Sequence, residues 1–297
     1  MPRIVVLGSL NVDLVTRVPV LPAPGETVLG DRLLTFTGGK GANQAVAAAR
    51  LGGEVAMVGR VGRDAGGDAL LRQLAADGVE ASGVDRDREE PSGAALIMVG
   101  ADGENLIAVA PGANGRVGSA DVERALGAVG TDGLLVLQLE IPRDAAERAI
   151  RQCRHVLLNA APAAPMPLEL LRGLNALVVN ESEAAALLGR SAPGVEAAAA
   201  LHAAGCALAA VTLGAAGAAF CNADGARVAE PFAVRAVDTT AAGDAFVGAL
   251  AVALAGGRPA AEAVRFANAA GAAAATRAGA QESLPRLEDL RRLFGVG

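Results

Sequence analysis

At 297 residues the chain is long enough to bury a large core, as one sizeable domain with an appendage or as two small ones. A net charge of -6, with no basic run and no Trp or Tyr, argues against a nucleic-acid or membrane-surface partner and removes the aromatic platform that single-stranded nucleic acid stacks on. Although 52% of the residues are hydrophobic, many are alanine, and charge interrupts or flanks every long Ala run, so no apolar window reaches membrane-spanning length.

The N-terminus, MPRIVVLGSL, enters a strand-like run over 3–9 at once, without the longer apolar region and cleavage site of a signal peptide, and the expectation is a cytoplasmic protein. GSLNVD follows, with Asn11 and Asp13 at the strand end. It does not fit GxGxxG, so a dinucleotide reading is weak, whereas short polar side chains can pair with vicinal hydroxyls. Residues 14–37 are β-rich and Pro-punctuated. Residues 38–53, GGKGANQAVAAARLGG, are a Gly-rich turn feeding an Ala-rich helix, with Lys40, Asn43 and Gln44 at the turn. Gly41 stands where a Walker A loop carries Ser or Thr, so the stretch reads as a polar clamp.

Apolar runs at 56–62, 134–140, 155–162, 176–181 and 208–214 then alternate with helical patterns, and the Ala-rich segments 184–187, 197–200 and 269–275 read as helices. Continuous apolar runs separated by helices indicate strands buried on both faces, hence a doubly wound α/β fold with a mainly parallel sheet and helices on each side. Ligands of such sheets sit outside the carboxyl ends of the strands, where this chain carries Asn11, Asp13, Glu140, Asn159, Asn180 and Thr212. Two hairpins break the alternation. Residues 94–110 turn through Asp102-Gly103 and, with 14–37, form a small separate sheet; residues 217–230 turn at Asp224-Gly225 and form an antiparallel edge of the main sheet.

Cys153, Cys206 and Cys221 belong to no CxxC or Cys/His cluster and read as reduced, buried small residues. His155, at a strand start, and His202, on an Ala-rich helix, have no neighbouring ligand set and read as structural. Asn180 and Glu183 have N-x-x-E spacing at a strand-to-helix junction, which a capping box also explains. The stretch 212–217, TLGAAG, has two glycines that permit close backbone approach by a phosphate. In 237–248, VDTTAAGDAFVG, the small residues Ala241, Ala242 and Gly243 let backbone N–H groups converge on an anion as a helix begins. Asp244 stands beside that nest, either as a base for a hydroxyl or as an ordinary N-terminal helix residue.

An early GGKGANQA and a late DTTAAGDAF, in this order and about two hundred residues apart, resemble the two signatures of the ribokinase/PfkB family of sugar kinases, and the resemblance extends nearly end to end. It implies one ribokinase-like domain over 1–297, with the sheet of 14–37 and 94–110 as a lid over the sugar and as the contact of a homodimer. It implies transfer of the ATP γ-phosphoryl group, in line, to the 5-hydroxyl of D-ribose, with Asp244 as base and Ala241, Ala242 and Gly243 as anion hole. Asn11, Asp13, Gly39, Lys40, Asn43 and Glu140 match the positions that bind ribose. Thr212, Leu213, Gly214, Ala215, Ala216, Gly217, Gly243 and Asn268 match the ATP site, with Asn268 against the adenine. Asn180 and Glu183 match the motif that positions phosphate oxygens and Mg²⁺, the ion held through water. Asp238, Thr240, Ala274, Arg277, Gly279 and Ser283 match the positions that hold K⁺, mostly through backbone carbonyls. Two alternatives remain open: a kinase of the same family for deoxyribose, a ketohexose or a nucleoside, and a non-catalytic sugar-binding protein on the same fold.

Overall fold

In the first strand Ile4 and Val6 face one side and Val5 and Leu7 the other, all fully buried, because side chains alternate along a strand and this one is covered on both faces. The computed structural model describes residues 2–297. Its first half runs β1 (Ile4–Leu7), β2 (Asn11–Arg17), β3 (Leu33–Gly38), α1 (Lys40–Arg50), β4 (Val55–Gly62), α2 (Ala65–Ala76), β5 (Glu80–Asp87), β6 (Gly93–Val99), β7 (Asn105–Ala110), α3 (Ser119–Val129), β8 (Leu134–Leu137) and α4 (Arg143–Gln152). The second runs β9 (Val156–Asn159), β10 (Ala176–Asn180), α5 (Glu181–Leu188), α6 (Gly194–Ala203), β11 (Ala209–Thr212), β12 (Ala218–Asn222), β13 (Gly225–Ala229), α7 (Ala242–Ala255), α8 (Ala260–Ala274) and α9 (Leu287–Phe294).

The main sheet has nine strands in the order β13-β12-β11-β10-β9-β8-β1-β4-β5. All neighbours from β5 to β11 are parallel, and β12 and β13 add an antiparallel edge. One set of strand side chains packs with α1, α2, α7 and α8, the other with α3, α4, α5 and α6. From β1 the strand order proceeds outward in both directions, so the crevice between β1 and β8 is the topological switch point where such folds bind ligands.

The chain leaves the main sheet after Leu7 and enters a second, four-stranded sheet at Asn11, in the order β3-β2-β6-β7. That sheet unites the two stretches expected to form it, although its strands begin at Asn11 and end at Gly38, and 18–32 adds no strand. The β6-β7 hairpin closes through residues 100–104 with Gly103 at φ 89°. Two expectations need correction, and one strand was not expected. Strand β8 stops at Leu137, so 138–140 have left the sheet. The β12-β13 turn is Ala223-Asp224, since Gly225 already pairs with Asn222. Strand β5, EASGVDRD, escapes sequence reading because it is an edge strand with several exposed polar side chains.

Candidate active site

Two helix N-termini meet at the switch point. Helix α1 starts after Gly39, whose φ of 88° suits glycine and whose missing Cβ would stand 2.7 Å from the Asn11 backbone nitrogen. Lys40, Asn43 and Gln44 therefore occupy its first turns. Helix α7 starts after Ala241, which is left-handed at φ 58°, ψ 5° and is the only non-glycine residue at positive φ among the described residues. That conformation costs an L-residue about 1–2 kcal/mol, and strain of this kind clusters where function needs a particular turn. The Ala242 N–H is engaged with the Thr239 carbonyl at 3.2 Å, whereas the N–H groups of Gly243 and Asp244 have no backbone acceptor among the described residues and are available to an anion.

The helices are close because Gly248, one turn beyond Asp244, has no side chain: a Cβ there would lie 2.6 Å from the Ala47 Cβ and 2.9 Å from the Gln44 carbonyl oxygen. This approach brings the α1 amides onto the α7 carboxylate. Asn43 Nδ2 donates to Asp244 Oδ2 and Gln44 Nε2 to Oδ1, both at 2.9 Å. Asn43 Oδ1 is buried without a partner, so this side chain can grip the carboxylate and still accept from a hydroxyl. Burial pushes the Asp244 carboxyl above the ordinary carboxylate range, against the opposing pull of Lys40 and of the two amides. The charge of Asp244 in turn raises the Lys40 ammonium, outweighing its burial.

The expected sugar residues surround the start of α1. Glu140 Oε2 accepts from Ser9 Oγ at 2.5 Å and from the Lys40 backbone N–H at 3.0 Å. Asn11 Oδ1 accepts from Asn114 Nδ2 at 2.7 Å, and Asn114 also bonds both backbone groups of Leu10, fixing the passage between the sheets. Asp13 is buried beside the same group; burial, then Glu140, Asp244 and Glu282, push its carboxyl up to about 7. Sequence reading missed Ser9, Asn114 and Gln138 as supports, and left Gln44 and Asn159 as polar residues without a role.

On the other side of Asp244 a cavity of about 640 Å³ is lined by Asn180, Thr212, Gly214, Ala215, Gly217, Gly243 and Asn268. Leu213 and Ala216 do not line it, and Leu213 packs against Gly194. Asn268 donates its amide to the carbonyls of Ala229 and Glu230, steadying the loop that adds Pro231, Phe232 and Val234 to the wall; that loop carried no sequence signal. A smaller cavity of about 210 Å³ contains Lys40, Asn159, Glu183, Ala241 and Asp244, and shares Asn180, Thr212, Thr239 and Gly243 with the larger. Asn180 and Glu183 form the capping box of α5, with Asn180 Oδ1 accepting from the Glu183 N–H and Glu183 Oε2 from the Asn180 N–H, both at 2.8 Å. Burial raises the Glu183 carboxyl. Both side chains border the smaller cavity, which suits outer-sphere hold on a hydrated cation.

Of the residues expected at a monovalent cation, Asp238, Thr240, Gly279 and Ser283 are joined by hydrogen bonds in one corner. Asp238 accepts from the Thr240 N–H at 2.9 Å and from the Gly279 N–H at 3.0 Å, joining the turn before α7 to the segment after α8. Burial alone would raise this carboxyl, but these bonds and the Thr240 hydroxyl hold it below its ordinary value. Ser283 Oγ donates to the Ala280 carbonyl at 2.8 Å and lies 3.5 Å from that of Thr240. The Arg277 guanidinium turns away to Asp289, and the Arg277 backbone N–H bonds the Ala274 carbonyl, so Arg277 can serve this corner only through its backbone oxygen. One anionic side chain among backbone carbonyls is a donor set that fits a large, weakly hydrated cation. No helix among the described residues is long and apolar enough to cross a membrane.

The chain is similar to known proteins along nearly its whole length. Residues 1–287 match the model of the pfkB family carbohydrate kinases. Ribokinase from Schizosaccharomyces pombe is 41% identical over 315 aligned residues, covering 100% of this chain and 99% of that protein. The crystal structure of ribokinase from Thermotoga maritima superimposes with a TM-score of 0.91 at 34% identity, covering 99% and 100% of the two chains. Ribokinase of Arabidopsis thaliana complexed with ribose and ATP gives 0.86 at 33% identity, covering 98% of each. The chain belongs to the pfkB family of carbohydrate kinases.

Proposed function

We propose that this protein phosphorylates D-ribose at O5 with ATP, giving D-ribose 5-phosphate. The observation that carries the reading is Asp244: a buried carboxylate, held by neutral amides, at the meeting of a nucleotide-sized cavity and a cluster of hydroxyl-pairing side chains. Ribose lies among Asn11, Asp13, Gly39, Lys40, Asn43 and Glu140. ATP takes the larger cavity with its adenine near Asn268 and its phosphates toward Gly243. Asp244 takes the proton of the attacking hydroxyl, and the Gly243 and Asp244 N–H groups with Lys40 carry the charge that develops on the transferred group. Mg²⁺ near Asn180 and Glu183 would neutralise phosphate charge, and K⁺ in the Asp238 corner would fix the turn at Ala241. The small sheet acts as a lid that excludes water and as the contact of a homodimer, within a single domain over 1–297, in the cytoplasm.

The test is ADP formation from MgATP with and without D-ribose, in potassium and then in sodium. Ribose-dependent turnover that falls in sodium is expected. In a folded protein, turnover with deoxyribose, fructose or adenosine but not ribose would reassign the acceptor, and binding of ribose without any turnover would leave a sugar-binding protein.

A further inference from the structure

Asp244 is one end of a chain of buried amides that the chemistry above does not use. Gln44 Nε2 donates to Asp244 Oδ1 and to Asn159 Oδ1, each at 2.9 Å, and Gln44 Oε1 accepts from Gln138 Nε2 at 2.6 Å. Both N–H bonds of the amide and its carbonyl are thereby engaged. Turning the amide over would set its oxygen against two acceptors and its nitrogen against a donor, so its partners allow one orientation. Asn159 is itself fixed, since its Nδ2 donates to the Val178 carbonyl at 3.1 Å. Gln44 is 1% exposed and Gln138 is fully buried. Gly8 makes room for the chain, since a Cβ there would overlap Gln138 Oε1.

We propose that Gln44 is the positioning residue of Asp244: braced by Gln138 after β8 and Asn159 at the end of β9, it fixes the rotamer of the carboxylate relative to the acceptor hydroxyl. The inference rests on the reading of Asp244 as the base. A neutral donor holds the carboxylate in place without an ion pair that would lower its basicity as strongly. Gln44 differs from its neighbour Asn43 in one decisive respect. Asn43 keeps a buried free oxygen for a ligand, whereas Gln44 has no free polar atom and cannot touch the sugar or the nucleotide.

That difference fixes the test. Gln44→Met keeps the volume and removes the donor. Turnover is expected to fall about 10- to 100-fold, with KM for ribose and ATP within about threefold of wild type, because only the orientation of the reacting group is lost. The acidic limb of the pH–kcat profile moves to higher pH, since a lost donor to the ionised form disfavours it. Lys40, Asp13, Glu140 and Glu183, the charged groups that act on Asp244, are the same in both proteins. Gln138→Met leaves both donations of Gln44 in place but takes away the partner of its carbonyl, which loosens the amide, and lowers kcat in the same sense by about three- to tenfold. In an Asp244→Asn background Gln44→Met has no further effect, as expected of groups acting as a unit.

Gln44→Met turnover within twofold of wild type, a fall in kcat matched by a rise in KM, or additive losses when Gln44→Met is combined with Asp244→Asn would each overturn the proposal. If Gln44→Met does not fold, Gln138→Met decides by the same readouts. Asp244→Asn measured alone separates the two levels: if it keeps turnover within tenfold, the base assignment falls and the proposal with it, whereas a large loss there with a silent Gln44→Met removes only the positioning role.

Discussion

Asp13, a proposed ribose ligand, is held in the fold at a cost in stability. Its carboxyl is pushed up to about 7 by burial, with Glu140, Asp244 and Glu282 adding repulsion, while in the unfolded chain it titrates near 3.8. Between those values the folded state binds the extra proton, so the stability tied to neutral Asp13 is complete below the unfolded value and is lost as pH rises through 7. Asp13→Asn removes this dependence. The variant should unfold at a higher temperature than wild type, by a wider margin at pH 8 than at pH 5, and should bind ribose more weakly; calorimetry at the two pH values with a ribose titration checks both halves. Asp244 makes the opposite separation of roles. Asp244→Asn keeps the shape of the side chain and one of the two oxygens that accept from Asn43 and Gln44 while removing the proposed base, so turnover should fall by several orders of magnitude with ribose affinity little changed. Steady-state kinetics beside equilibrium binding of ribose reads the two apart.

At the level of elements, the site exists because α1 and α7 approach at Gly248. A methyl at that position would stand 2.6 Å from the Ala47 Cβ and 2.8 Å from the Ala48 nitrogen, both on a helix that is itself packed and cannot yield by rotating a side chain. Gly248→Ala should therefore destabilise the protein by about 1–3 kcal/mol and lower kcat, because moving the helices apart lengthens the Asn43 and Gln44 contacts to Asp244. Urea unfolding and turnover on the same preparation test the pair of effects. The same level explains what could be read without coordinates. Strands β1, β4 and β8 to β11 are legible because burial on both faces makes each a continuous apolar run, and the two glycine turns are legible because a helix N-terminus facing an anion needs small residues. Edge strand β5 and the 231–234 wall of the larger cavity are not, since neither must be apolar or periodic. Gln44 was visible as a polar residue beside Asn43, but its proposed task depends on Gln138 and Asn159, which lie far from it in the chain.

For the whole molecule, the strand order places the carboxyl ends of β1 and β8 to β11 on one rim, and the second sheet begins at that rim with Asn11. The register sorts its side chains into two faces. One carries Leu34, Val15, Ile97 and Ile107 in a row across all four strands, followed by Phe36, Asp13, Ala95 and Val109. The other sets Leu33, Thr16, Met98 and Leu106 beside Thr35, Leu14, Leu96 and Ala108, where hydroxyls interrupt the apolar surface. Ile107 is 55% and Leu96 53% exposed, so exposure does not choose between the faces. Continuity does: the first face is an unbroken apolar band that runs toward Asp13, and a stable pair needs roughly 1,200–2,000 Å² of buried surface with an apolar centre. Two copies meeting through that band would close over the proposed sugar sites as they associate. Ile107→Glu should then sediment as a monomer and show a raised KM for ribose, while Leu96→Glu should remain a dimer with near-normal kinetics. A wild-type protein that sediments as a monomer at micromolar concentration would remove the dimer altogether, and separation by Leu96→Glu alone would move the interface to the threonine-bearing face.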